Sequence, residues 1–156
     1  MDNIPENKLI IKEGFVTKDG RPFSIIKEEI PRSWLTVYNF IVKDCQSQEI
    51  GFLRCSVEKE KAFLNNIQVE EESYLNQGVG HMLITEFEND LREMGVSHIS
   101  GKYYPEGIGG SLSESFYKRH GYEVVCYDQG DWEVQKTLDL ENFKNHKVEE
   151  NEFGES

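Results

Sequence analysis

Two glycines one residue apart, Gly78 and Gly80, interrupt the run Leu75-Asn76-Gln77-Gly78-Val79-Gly80-His81, just where a polar stretch gives way to an apolar pattern of helical period. Glycine is roughly 1 kcal/mol worse than alanine inside a helix, so two of them in a first turn ask for a reason. Bare backbone supplies one. The first amides of a helix have no intrahelical partner and, together with the helix dipole, they attract anions; glycine lets the anion come close. In that reading the amides of Gln77, Gly78, Val79 and Gly80 hold the phosphates of a nucleotide-type cofactor without a strongly basic sequence. On these residues alone, a tight structural connection is the alternative. Two better-known phosphate loops are excluded. There is no G-x-x-x-x-G-K-[ST], and Leu83 stands where a dinucleotide fingerprint needs its third glycine.

Metal and disulfide chemistry give no comparable signal. Cys45, Cys55 and Cys126 form no C-x-x-C pair and have no metal-like spacing with His81, His98, His120 or His146. No metal is expected, and the thiols are read as reduced. The formal net charge of -12 argues against nucleic acid as a partner, because phosphate backbones are held by clustered Lys and Arg. An acidic surface favours cationic small molecules or basic peptide segments instead. The start MDNIPENK has neither the basic residues nor the apolar stretch of a signal peptide, and no apolar run approaches the ~20 residues of a membrane span, so a cytoplasmic protein is expected.

The elements that must position the glycine turn can be read along the chain. At 156 residues, with 37% hydrophobic and 12% aromatic content, there is material for one core, and a single domain is expected over residues 1–138. Residues 9–30 contain two β-rich runs around Asp19-Gly20, a hairpin signal. WLTVYNFIVK (34–43), IGFLRCSV (50–57) and AFLNNIQV (62–69) read as successive strands. Val79, Leu83, Phe87 and Leu91 then recur every four residues, widened by Met82, Ile84 and Met94, with Gly95 at the C-terminal cap position. VSHISGKYY (96–104) reads as a strand. Ser111 and Glu114 match a capping box, which predicts a short helix over residues 112–120. Strands follow over 122–127 and 132–138, and the acidic segment 139–156 has the composition of a solvated, disordered tail.

Taken together, LNQGVG (75–80) and FYKRHGY (116–122), at this separation and among these strands, resemble the GNAT superfamily of acyl-CoA-dependent N-acetyltransferases. The resemblance covers about residues 34–138. It implies an α+β sandwich: a mixed, mostly antiparallel sheet with helices on both faces. It also implies acetyl-CoA as co-substrate and a primary amine as acceptor; the acidic balance of the chain, not the resemblance, points to a small cationic molecule or a basic peptide as the carrier of that amine. The strand 62–69 corresponds to the family's central strand, which splays from its neighbour at 96–104; Ile67, Gln68 and Val69 then meet the pantetheine arm. The turn from Leu75 through Asn76, Gln77, Gly78, Val79 and Gly80 takes the diphosphate, with His81 beside it. Tyr117 matches the tyrosine that returns a proton to the departing thiolate, a role that suits a phenol, which stays protonated at neutral pH. Glu70 and Glu71, with Glu72, are the nearest carboxylates to the splay and the candidates for taking a proton from the ammonium form of the acceptor, directly or through water.

The chain departs from the family pattern at identifiable positions. Leu75 stands where the motif usually opens with Arg or Gln, Phe63 where many members carry a Glu, and residues 1–33 read as β-rich where the family generally has two helices walling the acceptor site. Tyr103 and Tyr104 are candidates for the acceptor pocket, Lys118 and Arg119 for the cofactor's outer phosphate. Two other functional classes stay open at this level: an acyl-CoA-binding module without catalysis, and an interaction protein whose N-terminal hairpin pairs with a second copy in a homodimer.

Overall fold

A computed structural model describes residues 7–103, 113–127 and 131–139. Eight strands, β1 (Lys8–Val16), β2 (Pro22–Pro31), β3 (Thr36–Asp44), β4 (Glu49–Glu58), β5 (Lys61–Val69), β6 (His98–Tyr103), β7 (Glu123–Cys126) and β8 (Trp132–Thr137), make one sheet. Its order is β1-β2-β3-β4-β5-β6-β8-β7. All neighbours are antiparallel except β5 and β6. Helix α1 (Val79–Met94) makes the crossover between those two, and α2 (Glu114–Arg119) connects β6 to β7. The α+β class and the mixed, mostly antiparallel sheet are therefore as the sequence implied. The Asp19-Gly20 hairpin is present, and Gly95 caps α1 with φ 79°.

The short helix differs from its expected form. Its cap is Ser113, whose hydroxyl accepts the Phe116 amide at 3.2 Å, so Glu114 is the first helical residue and the helix runs to Arg119 instead of spanning 112–120. A capping hydroxyl must lie over the amide three residues on, and Ser113 meets that geometry with Phe116. Ser111 lies outside the described residues, as does the tail beyond Asp139.

The helices also differ in placement: both described helices lie on one face. β5-α1-β6 and β6-α2-β7 join parallel strands and advance the same way along the sheet, so two right-handed connections land on the same side. That face holds the core. Val79, Leu83, Ile84, Phe87 and Leu91 of α1 are buried with Phe40, Leu53, Leu64 and Ile67 of the sheet, and Phe87 meets Phe40 edge to face at 6.3 Å. Burying each such side chain contributes about 1.5–3 kcal/mol, against about 1 kcal/mol for a good N-cap. The apolar stripe, not the cap, holds α1, which is how the helix can begin on a glycine.

On the opposite face Ile11, Ile26, Ile41 and Phe52 stand in register across β1 to β4. Among the described residues no helix covers them. Where the family generally has two walling helices, residues 8–31 form two strands as the sequence implied, and β2 passes to β3 through a tight connection closed by Arg32 N–H to Leu35 C=O, 2.8 Å. No described helix is long and apolar enough to cross a membrane.

Candidate functional site

The site begins where the sheet opens. β5 and β6 are in register only from Lys61↔His98 to Leu64↔Gly101, although β5 continues to Val69 and β6 to Tyr103. Two local features account for this. At Gly101 an added Cβ would lie 2.5 Å from the Leu64 carbonyl oxygen, so only glycine lets the strands come this close at the last paired position. In the next residues Arg54 faces Asn66 while Cys55 faces Leu64, which leaves Asn65 as a bulge in β5. A bulge bends and twists its strand, here at the point where β5 leaves β6.

Beyond β5 the chain makes a 3-10 turn at Glu72–Tyr74 and then the glycine turn. Asn76 (φ 59°) and Gly78 (φ 89°) are both left-handed, a geometry in which successive amides can converge on one anion. The first intrahelical bond of α1 is Met82 N–H to Gly78 C=O, 3.0 Å. The amides of Val79, Gly80 and His81 precede it, and no side chain caps the helix. These three residues line a cavity of about 430 Å³, together with Val69, Leu75, Asn76 and Gly78.

Four basic side chains, Lys18, His81, Arg119 and His120, also line this cavity, and its described lining contains no carboxylate. In a chain of net charge -12, the Lys18 and Arg119 cations there set up a local positive field. His81 and His120 touch, with Nδ1 of His81 2.9 Å from Nε2 of His120, while His120 Nδ1 lies 2.8 Å from the Phe116 carbonyl. A carbonyl only accepts, so the network assigns a proton to His120 Nδ1. α2 is fixed to α1 from below: Lys136 donates to the His120 carbonyl (2.6 Å) and to Glu88 (2.8 Å), and Tyr122 donates to Glu88 at 2.7 Å.

Tyr117 points inward from α2. It is 3% exposed, with its ring edge-on to Tyr103, Phe116 and Tyr122 at 5.6–5.8 Å, and burial pushes its phenol up to about 12. It packs on the last residue of β6, next to the splay, and is not part of the cavity lining. Tyr103 is buried against it, while Tyr104 lies outside the described residues.

The remaining candidates fall elsewhere. Ile67 is fully buried under α1, and Gln68 is paired in register with Phe52 of β4. Gln77 is turned away from the cavity: its backbone carbonyl accepts Lys18 N–H and its side-chain oxygen accepts Asp19 N–H, both at 3.0 Å. Glu70 and Glu71 lie toward β4. Glu70 N–H donates to Ile50 C=O, Gln48 donates to Glu71, and burial followed by the charge of Glu49 raises the Glu70 carboxyl above its ordinary value. Neither borders the cavity. Glu72 begins the 3-10 turn. Of the pair proposed for an outer phosphate, Arg119 lines the cavity and Lys118 is bound to Glu114 at 2.6 Å. The sequence reading missed Lys18 and His120. His120 sits inside the FYKRHGY motif, so its spacing from Tyr117 was a usable signal; Lys18 had none.

No family model matches the chain, and no curated protein matches it by sequence. Solved structures do match in shape. The PaiA N-acetyltransferase of Thermoplasma acidophilum, crystallised in complex with coenzyme A, superposes with a TM-score of 0.56 at 22% identity, over 65% of this chain and 61% of that one. This chain thus spans less than two thirds of that neighbour's length. An acetyltransferase of Bacillus cereus gives 0.56 at 22% identity over 67% and 74%. A GNAT-family acetyltransferase of Staphylococcus aureus gives 0.56 at 13% over 66% and 69%. A sheet that splays beside a glycine-opened helix, on a backbone shared with these proteins, gives this chain the fold of the GNAT-family acetyltransferases.

Proposed function

We propose that this protein is an acyl-CoA-dependent N-acetyltransferase that moves an acetyl group from acetyl-CoA to a primary amine of a small cationic molecule or a basic peptide. The observation that carries the reading is the basic cavity at the mouth of α1, with no carboxylate among its described lining residues, opening beside the β5–β6 splay in an otherwise acidic chain. It fits the diphosphate of the cofactor: the amides of Val79, Gly80 and His81 supply directed donors, and the basic side chains supply charge. The pantetheine arm would run along β5 past Val69 toward the splay.

At the thioester, the amine nitrogen bonds to the acyl carbon as the carbon–sulfur bond breaks. Backbone amides at Ile67 or Val69 are the donors available for the oxyanion. The proton of the acceptor's ammonium form goes to Glu70 or Glu71, directly or through water, before attack. Tyr117 donates a hydrogen bond to the leaving sulfur, and the second nitrogen-bound proton, released as the amide forms, neutralises the departing thiolate. With the Tyr117 phenol at about 12, above a free thiol near 8.5, hydrogen bonding to the sulfur outweighs full proton transfer. That places the loss on removing it at the low end of the usual general-acid range, about a hundredfold.

A thermal-unfolding series with acetyl-CoA is the first test. Binding to the folded state alone adds about 2.7 kcal/mol of stability at a hundredfold excess over the dissociation constant, and no shift at millimolar acetyl-CoA would sink the proposal. Thiol release against a panel of diamines and basic peptides then tests turnover. Tyr117→Phe should lower kcat about a hundredfold with cofactor affinity retained. A second reading, a non-catalytic acyl-CoA-binding module, draws support from Glu70 and Glu71 standing outside the cavity. It predicts the thermal shift with no turnover on any amine.

A further inference from the structure

We propose that the tip of the β1–β2 hairpin supplies Lys18 as a diphosphate ligand, taking over the side-chain contact that Leu75 does not provide. The inference rests on the acyl-CoA reading above. The tip is a closed turn, with Thr17 N–H to Arg21 C=O at 2.9 Å and Gly20 N–H to Thr17 C=O at 3.0 Å. It is docked onto the glycine turn at several points. Besides the two bonds to Gln77, Arg21 donates to the Ser73 carbonyl at 2.6 Å and lies over the Tyr74 ring, 3.9 Å from its centroid.

This docking brings the Lys18 stem across Gly78. Its Cγ would be 4.0 Å from a Cβ built there, and Lys18 lines the same cavity as the α1 mouth. The neighbouring acid is already engaged. Asp19 is paired with Arg21 at 2.9 Å and accepts the Thr17 hydroxyl, and none of the ion pairs among the described residues involves Lys18. A lysine ammonium on a flexible stem, with three donors and no fixed orientation, suits a phosphate held in the cavity that it lines with the α1 mouth. The hairpin thus gives a glycine turn that opens on leucine a cation from about sixty residues earlier in the chain.

Calorimetric titration of the full chain with CoA and with dephospho-CoA, each at two salt concentrations, tests this. Lys18→Met should weaken both ligands about 5- to 30-fold and flatten the salt dependence, as expected for losing one charged hydrogen bond. Lys18→Arg should stay within about threefold of the original. The midpoint of thermal unfolding without ligand should not move, which separates lost contact from a displaced hairpin. If Lys18→Met binds dephospho-CoA as tightly as the unmodified protein, the diphosphate assignment is overturned, whether or not CoA itself is weakened through its 3′-phosphate. If the unmodified protein binds neither ligand, the acyl-CoA reading falls and takes this one with it.

Discussion

Between β2 and β3 the register runs unbroken over nine residue pairs, from Phe23↔Asp44 to Pro31↔Thr36; between β5 and β6 it runs over four and stops. Both seams lie in one sheet and bury apolar side chains on the same face. The difference is what the backbone does. Along β2–β3 the antiparallel ladder engages the chain end to end. At β5–β6 the ladder ends at Leu64 and Gly101, and the strands diverge toward the mouth of α1. The lesson is that the long meander is scaffold, and the candidate chemistry gathers at the seam that is left open.

Substitutions at the two seams should therefore differ in cost. The largest effect is expected from Gly101→Val, because the new Cβ would meet the Leu64 carbonyl, a backbone atom that cannot swing away. A loss of about 3 kcal/mol in urea denaturation is expected, against a change within about 0.5 kcal/mol for Ser24→Val on the open face of β2. Equal losses would show that the two seams are not different in kind. A smaller effect, about 1 kcal/mol, is expected for Gly78→Ala. Its left-handed backbone is strained for any residue with a Cβ, while the nearest neighbour, Lys18 Cγ at 4.0 Å, is an ordinary contact.

The smallest effect belongs to Glu70→Gln and depends on pH. Raising the carboxyl in the folded state favours its protonated form over the ionised one relative to the unfolded chain, so the stability it contributes is present below the unfolded value, about 4.3, and is lost as pH rises through the folded value. The variant should match the original near pH 4 and exceed it at pH 7 by roughly a few tenths of a kcal/mol, given how exposed the group is. Turnover of the same variant sharpens the assignment of the base: a collapse of kcat makes Glu70 the proton acceptor, and an unchanged kcat sends the search to Glu71.

Much of this was readable in the residues. The four-residue recurrence from Val79 to Leu91 fixed α1, Gly95 fixed its end, and the β-branched runs fixed the strands, because each pattern is set by local periodicity. The glycine turn was readable for the same reason. What could not be read was set by chain crossings. Lys18 reaches the cavity only because the hairpin folds back onto Gln77, and His120 gains meaning only beside His81, 39 positions earlier. The placement of both helices on one face depended on strand order, which periodicity does not encode. Ser111 matches the S-x-x-E capping pattern with Glu114, whereas Ser113 has Phe116 three residues on and carries no such mark; its capping role is set by the hydrogen bond its hydroxyl accepts from the Phe116 amide.

The hairpin grips α1 along its length as well as at its mouth: Lys12 reaches Glu86 and Lys27 reaches Asp90, both at 2.7 Å, the second as a close ionic contact without hydrogen-bond geometry. Tip and stem together act as a splint. A helix braced in this way cannot tilt without dragging the sheet's outer strands along, so the orientation of its leading amides is settled when the chain folds, and under the function proposed above it need not be rearranged on binding.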